Sequence, residues 1–167
     1  MSGIRVRTRK DLSSQRRRRR PRCLGHLIVA PLWPMHGANL GTLLRTCDAV
    51  GACLAVPRLP WVPEALDRGN TLRDGACVHW VRPMSWLAGR QERVLGVELA
   101  EEAIRLADLP MAREPTVIVL GHESTGIPGE ALDLLDAVVE IPMIGTGASL
   151  NVAVAGSLVL YKLAGFS

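Results

Sequence analysis

Short apolar runs alternate with segments of helical spacing along most of the sequence. Each run is bounded by glycine, proline or polar residues, which is typical of buried strands. A chain that alternates such strands with helices is expected to form a parallel sheet covered on both faces. The pattern therefore predicts an α/β fold with a mostly parallel sheet flanked by helices. The predicted strands are residues 26–32, 52–57, 77–81, 93–99, 116–121 and 137–142.

Three segments have the pattern of helices. Residues 39–51 carry apolar residues at helical spacing and end in a glycine, a typical C-terminal stop. A second helix is predicted to begin near Pro128, whose fixed φ suits the first helical position, and to continue through GEALDLLD. The third helix is predicted for Ser149 to Ala164, closed by Gly165. Residues 57–73 are too rich in proline and polar residues to be assigned.

The composition requires a core of aliphatic side chains. The chain has 167 residues, of which 48% are hydrophobic but only 4% are aromatic. This length and apolar content fit one domain with a core of its own, which we place at residues 23–167.

The four cysteines predict neither a metal site nor a disulfide framework. Cys23, Cys47, Cys53 and Cys77 form no CxxC pair, and no histidine follows them at the spacing of a zinc site. Cys47 and Cys53 lie in apolar segments and are predicted to be small core residues in a reducing cytoplasm.

The positive charge is concentrated in residues 1–22. This segment holds ten of the 20 Lys and Arg residues but one of the 16 acidic ones, so its net charge is +9. The remaining ten basic and fifteen acidic residues give residues 23–167 a net charge of −5. We interpret residues 1–22 as a basic, disordered arm that binds RNA through Arg16, Arg17, Arg18, Arg19 and Arg20. Arg58, Arg68 and Arg73 are further candidates for phosphate contacts.

Two other interpretations of the arm remain. The first is that the arm is a solubilising segment. The second is that its arginines belong to a twin-arginine export signal. The apolar stretch that follows is interrupted by His26, Pro31 and Pro34, and cleavage near Ala38 would remove the first predicted strand, so export is disfavoured. No apolar run approaches the roughly 20 residues needed to span a bilayer, and no membrane partner is expected.

Three glycine-containing loops follow predicted strands: MHGANLGTLLR, GHESTGIPG and PMIGTGASLN. Loops at the carboxyl ends of parallel strands are where open α/β sheets bind ligands. Neither of the last two loops fits a P-loop or a dinucleotide fingerprint. A hydrolase using Ser149, His122 and Glu123 is compatible with the residue types, but Ser149 does not lie in a G-x-S-x-G elbow. At the start of a predicted helix, Ser149 is expected to be at least an N-cap.

Taken together, NLGTLLRTCDAVGA, VIVLGHESTGIP and IPMIGTGASLNVAVAGSLVLY resemble the three motifs of the SpoU branch of the SPOUT superfamily. These enzymes are RNA ribose 2′-O-methyltransferases. The resemblance covers nearly all of residues 26–164. It implies a homodimer with a C-terminal trefoil knot, through which the last helix is threaded. It also implies S-adenosylmethionine as the cofactor, with no metal needed.

The resemblance assigns roles to particular residues. Arg45 matches the arginine that activates the ribose hydroxyl or holds the adjoining phosphate. Free arginine is too strong a base to lose its proton easily, so electrostatic stabilisation is favoured over general-base catalysis. The other polar positions of the motifs are Asn39, expected to be a local hydrogen-bonding brace, Glu123, Ser149 and Asn151. The residues implied to contact the cofactor are Val97, Leu99, Gly121, Ile141, Met143, Ser149 and Leu150.

The substrate and two alternatives stay open at this point. His122 stands at a variable position of the second motif and is interpreted as an RNA or cofactor contact without a catalytic role. The chain is nearly a bare catalytic domain, so tRNA and ribosomal RNA are both candidates, with tRNA ahead. The alternatives are a non-catalytic RNA-binding protein of the same fold and an unrelated nucleotide-binding α/β enzyme.

Overall fold

The computed structural model describes residues 3–4, 6–11, 25–69 and 76–166. The arginines at 16–20, together with Cys23 and Arg73, lie outside these residues, and the boundary of the basic arm stays a prediction. None of the helices that the structure describes has the length and apolar character needed to cross a bilayer.

Among the described residues, seven strands form one sheet in the order β3-β2-β1-β6-β4-β7-β5, and all their pairings are parallel. This arrangement confirms the predicted α/β class. The predicted strands are all present, each within two residues of its predicted bounds at both ends. The strands are β1 (Leu27–Pro31), β2 (Cys53–Pro57), β3 (Val78–Val81), β4 (Arg93–Val97), β5 (Ile104–Arg105), β6 (Thr116–Leu120) and β7 (Ala137–Glu140).

Within residues 25–69 and 76–166, five α-helices cover the sheet. The first and last predicted helices are confirmed with shifted ends, whereas the second is shorter than predicted. Pro128 precedes its first turn as the N-cap and is not the first helical residue. The helices are α1 (Gly37–Val50), α2 (Val62–Gly69), α3 (Pro83–Ala88), α4 (Gly129–Leu132) and α5 (Val152–Leu163), and a 3-10 turn covers Leu106–Asp108.

The two faces of the sheet have separate aliphatic cores. One core packs β-strand residues against α1, α2 and α5, and the other packs them against α3 and α4. Leucine, isoleucine, valine and alanine make up most of both cores, as the low aromatic content predicts. Cys47 and Cys53 are buried in opposite cores, and burial raises the pKa of the Cys47 thiol to about 12.

Close packing brings α5 against the end of β6. A Cβ atom on Gly156 would lie 2.7 Å from a methyl carbon of Leu120 and 3.1 Å from one of Leu43. Only a residue without a side chain allows this approach. The apolar helix near the end of the chain is therefore buried against α1 and the centre of the sheet, where the motif loops begin.

Candidate active site

The loops of all three motifs emerge at the carboxyl ends of the strands. Val97 at the end of β4 is in register with Leu120 of β6 and Val139 of β7. Leu120 is also in register with Pro31 at the end of β1. Because these four strands are neighbours and parallel, the loops that follow them are brought together. The candidate active site lies in this cluster of loops.

Glu123, in the loop after β6, is bonded to the segment that begins α1. Its carboxylate accepts hydrogen bonds from the backbone N–H of Met35 at 2.9 Å and of His36 at 3.1 Å. It also accepts one from the side-chain amide of Asn39 at 3.0 Å. A carboxylate at a helix N-terminus is favoured by the helix dipole. Glu123 therefore joins the first two motifs and is more than a solvated surface carboxylate.

Asn151 connects the third motif to this pair. Its Nδ2 donates to Oδ1 of Asn39 at 3.0 Å, and its Oδ1 accepts from the backbone N–H groups of Ala153 (2.9 Å) and Val154 (3.2 Å). Asn39 is only 8% exposed, so it has few alternative partners in water. The amide of Asn151 thus donates to Asn39, and the amide of Asn39 donates to Glu123. This chain of hydrogen bonds connects the three motif loops.

The hydrogen bonds also set the charge state of Glu123. Partial burial alone would raise the pKa of this carboxyl group, but the hydrogen bonds from its own backbone, His36, Asn39 and Met35 outweigh that effect. The net result is a pKa below the usual value for glutamate. Glu123 is therefore an anion at neutral pH and acts as an acceptor that positions other groups.

We expect Glu123→Gln to destabilise the protein in a pH-dependent way. The lowered folded-state pKa means that Glu123 contributes stability above the unfolded-state pKa of about 4.3, and that this contribution is lost as the pH falls through the folded-state value. At neutral pH the variant should lose on the order of 1 kcal/mol, because the carboxylate is partly solvated. The difference from wild type should shrink below pH of about 4. Denaturant unfolding across this pH range measures both values.

Glu101→Gln is the matched control, because Glu101 is exposed. It should leave the unfolding free energy nearly unchanged at every pH. A constant difference between Glu123→Gln and wild type across the range would contradict the assigned charge state.

A tight turn shapes the loop after β6. The backbone N–H of His122 donates a hydrogen bond to the carbonyl of Gly126, and the N–H of Gly126 donates one to the carbonyl of His122, both at 2.9 Å. Gly126 has a φ of 74°. A Cβ atom on Gly121 would overlap the backbone of Gly126 and Ile127. His122 Nδ1 accepts from the N–H of Ser124 at 3.0 Å, so its ring belongs to this turn. Its predicted contact with RNA or cofactor stays a prediction.

Glu98 is a site residue that the sequence reasoning missed. Its carboxylate accepts hydrogen bonds from the backbone N–H groups of Leu99 and Ile127, both at 3.1 Å. It thereby joins the loop after β4 to the turn after β6. The signal was a single acidic residue at the end of an apolar strand, between the two residues that the resemblance did select.

The prediction that Ser149 caps the last helix is wrong. The cap is Asn151, whose side chain accepts from two N–H groups of the first turn. Ser149 is exposed, and its side chain makes no hydrogen bond within the described part of the chain. Serine and asparagine are both strong capping residues, and only Asn151 has the second bond to α1 that fixes its position.

The predicted cofactor residues lie in the loops after β4, β6 and β7. Val97, Gly121 and Ile141 are half-buried near the strand ends. Further out, three apolar side chains remain exposed: Leu99 at 59%, Met143 at 36% and Leu150 at 39%. Glycine backbone and exposed apolar side chains together offer a surface suited to a flat aromatic group.

Arg45 is separate from this network. It lies on the exposed side of α1, six residues after Asn39 and therefore about 9 Å further along the helix axis. Within the described residues its guanidinium has no ion pair or hydrogen bond. The structure therefore brings together Asn39, Glu123 and Asn151 but not Arg45.

The other body arginines proposed for phosphate contact differ in their surroundings. Arg58 is exposed. Arg68 is also exposed, but it pairs with Glu64 one turn earlier on α2 at 2.5 Å, which offsets its charge. Arg58 is the better candidate of the two.

An open cleft of about 470 Å³ lies at the amino ends of the strands, opposite the motif loops. Its lining comes from the segments that precede β4 and β6, residues 89–93 and 114–115, and not from the motif loops. Arg90 in this cleft pairs with Glu92 at 3.4 Å and stacks on Trp86 at 4.5 Å. These contacts satisfy its charge, so we do not place the active site there.

Known proteins are similar to this chain in both sequence and fold. Residues 26–161 match the SpoU rRNA Methylase family. The tRNA (guanosine(18)-2′-O)-methyltransferase of Escherichia coli (strain K12) is 35% identical over 138 residues, which cover 74% of this chain and 56% of the relative. The chain thus spans about half the length of the curated relatives it matches.

Two solved structures extend the comparison. The AdoMet-bound rRNA methyltransferase from Sinorhizobium meliloti is 25% identical, with a TM-score of 0.68 over 88% of this chain and 58% of that one. A structure described as giving insight into the 2-OH methylation of C/U34 on tRNA is 27% identical, with a TM-score of 0.70 over 85% of this chain and 97% of that one. With the family match covering most of its length, the chain belongs to the SpoU rRNA methylase family.

Proposed function

We propose that the protein transfers a methyl group from S-adenosylmethionine to a ribose 2′-hydroxyl of RNA, with tRNA favoured over ribosomal RNA. The observation that carries this proposal is the chain of hydrogen bonds from Asn151 through Asn39 to Glu123. It joins the three loops whose motifs define the resemblance. Among the relatives, the Escherichia coli enzyme and the C/U34 structure are described by their action on tRNA, which supports the order of substrates.

The loops after β4, β6 and β7 fit the proposed cofactor. We assign its adenine to Val97, Leu99, Gly121, Ile141, Met143 and Leu150, with Ser149 beside them. Support comes from the exposed apolar side chains of Leu99, Met143 and Leu150. The Sinorhizobium meliloti relative is described as AdoMet-bound, which supports the choice of cofactor.

When bound, the cofactor supplies an electrophilic methyl group on a sulfonium. The chain must then hold the ribose hydroxyl in line with that group and stabilise the charge that develops as the hydroxyl proton leaves. Arg45 is a permanent cation, so we assign it to the phosphate beside the target ribose and to electrostatic stabilisation. Glu123, Asn39 and Asn151 fix the loops that shape the site. The proton passes to solvent or to the RNA.

We also propose the C-terminal knot and the homodimer. Two observations support a threaded α5. Along the chain, α5 follows β7, which pairs with β4 inside the sheet. In the fold, α5 is buried between α1 and the central strands. The outer side of α5 carries an apolar row at helical spacing, with Val154, Leu158 and Tyr161 each at least 40% exposed. Contiguous apolar surface of this kind suits a second copy of the chain. We also propose that the enzyme acts on its RNA substrate in the cytoplasm.

Calorimetric titration with S-adenosylmethionine in the presence of a chelator should show binding by the wild-type protein. Gly147→Val should weaken it by about tenfold or more, the equivalent of 1.4 kcal/mol. Neither Gly145 nor Gly147 has a positive φ, and the nearest atom to a Cβ on Gly147 is 3.6 Å away. A side chain therefore fits the loop itself, and the expected loss comes from blocked approach to the ligand rather than from lost backbone freedom.

The matched control is Gly89→Val, because Gly89 lies outside the motif loops and has a φ of −90°. It should bind the cofactor like wild type. Nucleoside analysis of tRNA and ribosomal RNA after incubation with the protein and cofactor then identifies the methylated ribose. A folded protein that binds RNA but does not bind the cofactor and does not methylate the RNA would support the non-catalytic alternative instead.

A further inference from the structure

Two cysteines and one histidine, residue types that bind metals such as zinc, meet near the amino ends of β2 and β3. The ligand atoms of Cys53, Cys77 and His79 all lie within 4.8 Å of one another. Cys77 Sγ is 3.4 Å from His79 Nε2. Cys53 is 2% exposed, and the other two are half-buried.

Strand pairing explains why these residues meet. β2 and β3 are parallel neighbours, and Ala55 is in register with His79. Two residues earlier on each strand, the same register places Cys53 opposite Cys77. Alternate residues of a strand face the same side of the sheet. All three side chains therefore point to the face covered by α3, and both cysteines pack against its core.

We propose that Cys53, Cys77 and His79 bind a zinc ion. Two thiolates and an imidazole are a ligand set that zinc prefers. Ligand atoms held around one tetrahedral centre with bonds of about 2.0–2.3 Å lie about 3.3–3.8 Å apart, so small side-chain rotations bring these three into place. Three protein ligands leave a fourth position for a water molecule or another group.

The proposed ion has a structural role. β3 is one of the two edge strands of the described sheet and is only four residues long. A metal bound by both β2 and β3 would hold this edge strand in register. The cluster lies near the amino ends of the strands, whereas the motif loops lie at their carboxyl ends, so the ion would not take part in methyl transfer.

This inference replaces the expectation that the cysteines bind no metal. That expectation rested on ligand spacing along the chain, and zinc motifs of that kind bring ligands together through short loops. Here a parallel strand pair brings together residues that are far apart in sequence. The close pair Cys77 and His79 is the part of the signal that the sequence alone contained.

Cobalt is the spectroscopic probe for the site. The full-length protein is reduced, freed of metal with a chelator and titrated anaerobically with Co²⁺. We expect a thiolate-to-cobalt charge-transfer band in the near ultraviolet, d–d bands in the visible and saturation at one ion per chain. Zn²⁺ should displace the cobalt, because it binds such sites more tightly. Saturating Zn²⁺ should also raise the melting temperature of the metal-free protein.

Variants assign the ligands. Cys77→Ser and His79→Ala should each weaken zinc binding at least about 100-fold, since even the loss of a group that only orients a ligand costs 10- to 100-fold. Both positions are half-buried, so the variants should fold. Cys47→Ala removes a buried thiol that packs in the opposite core, and His26→Ala removes an exposed imidazole; both should bind zinc like wild type.

Two outcomes would overturn the proposal. One is a folded, reduced wild-type protein that gives no cobalt–thiolate band. The other is a band and a zinc affinity that survive unchanged in Cys77→Ser and His79→Ala. Cofactor binding is measured in the presence of a chelator, so the metal proposal and the proposed methyltransferase function can fail independently.

Discussion

Replacing Arg45 with alanine should lower kcat for methyl transfer about 100- to 1,000-fold, the cost of losing one group that stabilises developing charge. The same variant should keep its melting temperature and its affinity for S-adenosylmethionine. Arg45 is exposed and makes no ion pair or hydrogen bond with the described residues, so its removal disturbs little of the fold. Single-turnover methylation and thermal unfolding, measured on the same preparation, separate the two effects.

Two further variants sharpen this test. Arg45→Lys keeps the charge but loses the planar guanidinium, so it should recover part of the activity if Arg45 acts electrostatically. Arg113→Ala removes another exposed arginine of the body and should be fully active. Should Arg45→Ala keep most of its activity, Arg45 is a solvated residue on an amphipathic helix and the proposed mechanism is wrong.

Six of the seven described strands could be predicted because each of the six is a mostly apolar run. β6 and β1 are buried along their whole length, and burial on both faces is what such runs report. α2 was missed because it begins with Val62 and Pro63 in a proline-rich stretch, and its amphipathic pattern spans only eight residues. β5 has two residues, too few for any periodicity.

The site was predicted in its residue types and only partly in its connections. Glu123, Asn39 and Asn151 were selected by their motifs, yet their order in one hydrogen-bonded chain depends on loops far apart in sequence. Ser149 is the predicted cap because the last helix is predicted to begin there, three residues before the helix does. The grouping of Cys53 with Cys77 had no sequence signal at all, because it arises from strand register.

Replacing the five arginines at 16–20 with glutamine should separate RNA binding from cofactor binding. These residues belong to a segment with a net charge of +9, whereas residues 23–167 carry −5 and repel a polyanion. RNA affinity should therefore fall sharply at low salt. Binding of S-adenosylmethionine should not change, because its proposed site lies in the loops of the body.

The salt dependence reports how many phosphates the arm contacts. Each lost contact should flatten the slope of log affinity against log salt concentration by about 0.7–0.9, so the loss of four contacts should flatten it by roughly 3. Preference among RNA sequences should survive, since arginines that bind phosphates do not read bases. Filter binding of full-length wild type and variant at several salt concentrations measures the slope.

Exposed arginines of the body provide the comparison for the arm. Arg82→Gln combined with Arg113→Gln also removes positive charge, but from scattered positions, and should change the slope little. If the five-arginine variant keeps the wild-type slope and affinity, residues 1–22 act as a solubilising segment. The acidic body would then have to bind RNA through local basic groups such as Arg45 and Arg58, and its affinity should fall when those two are replaced.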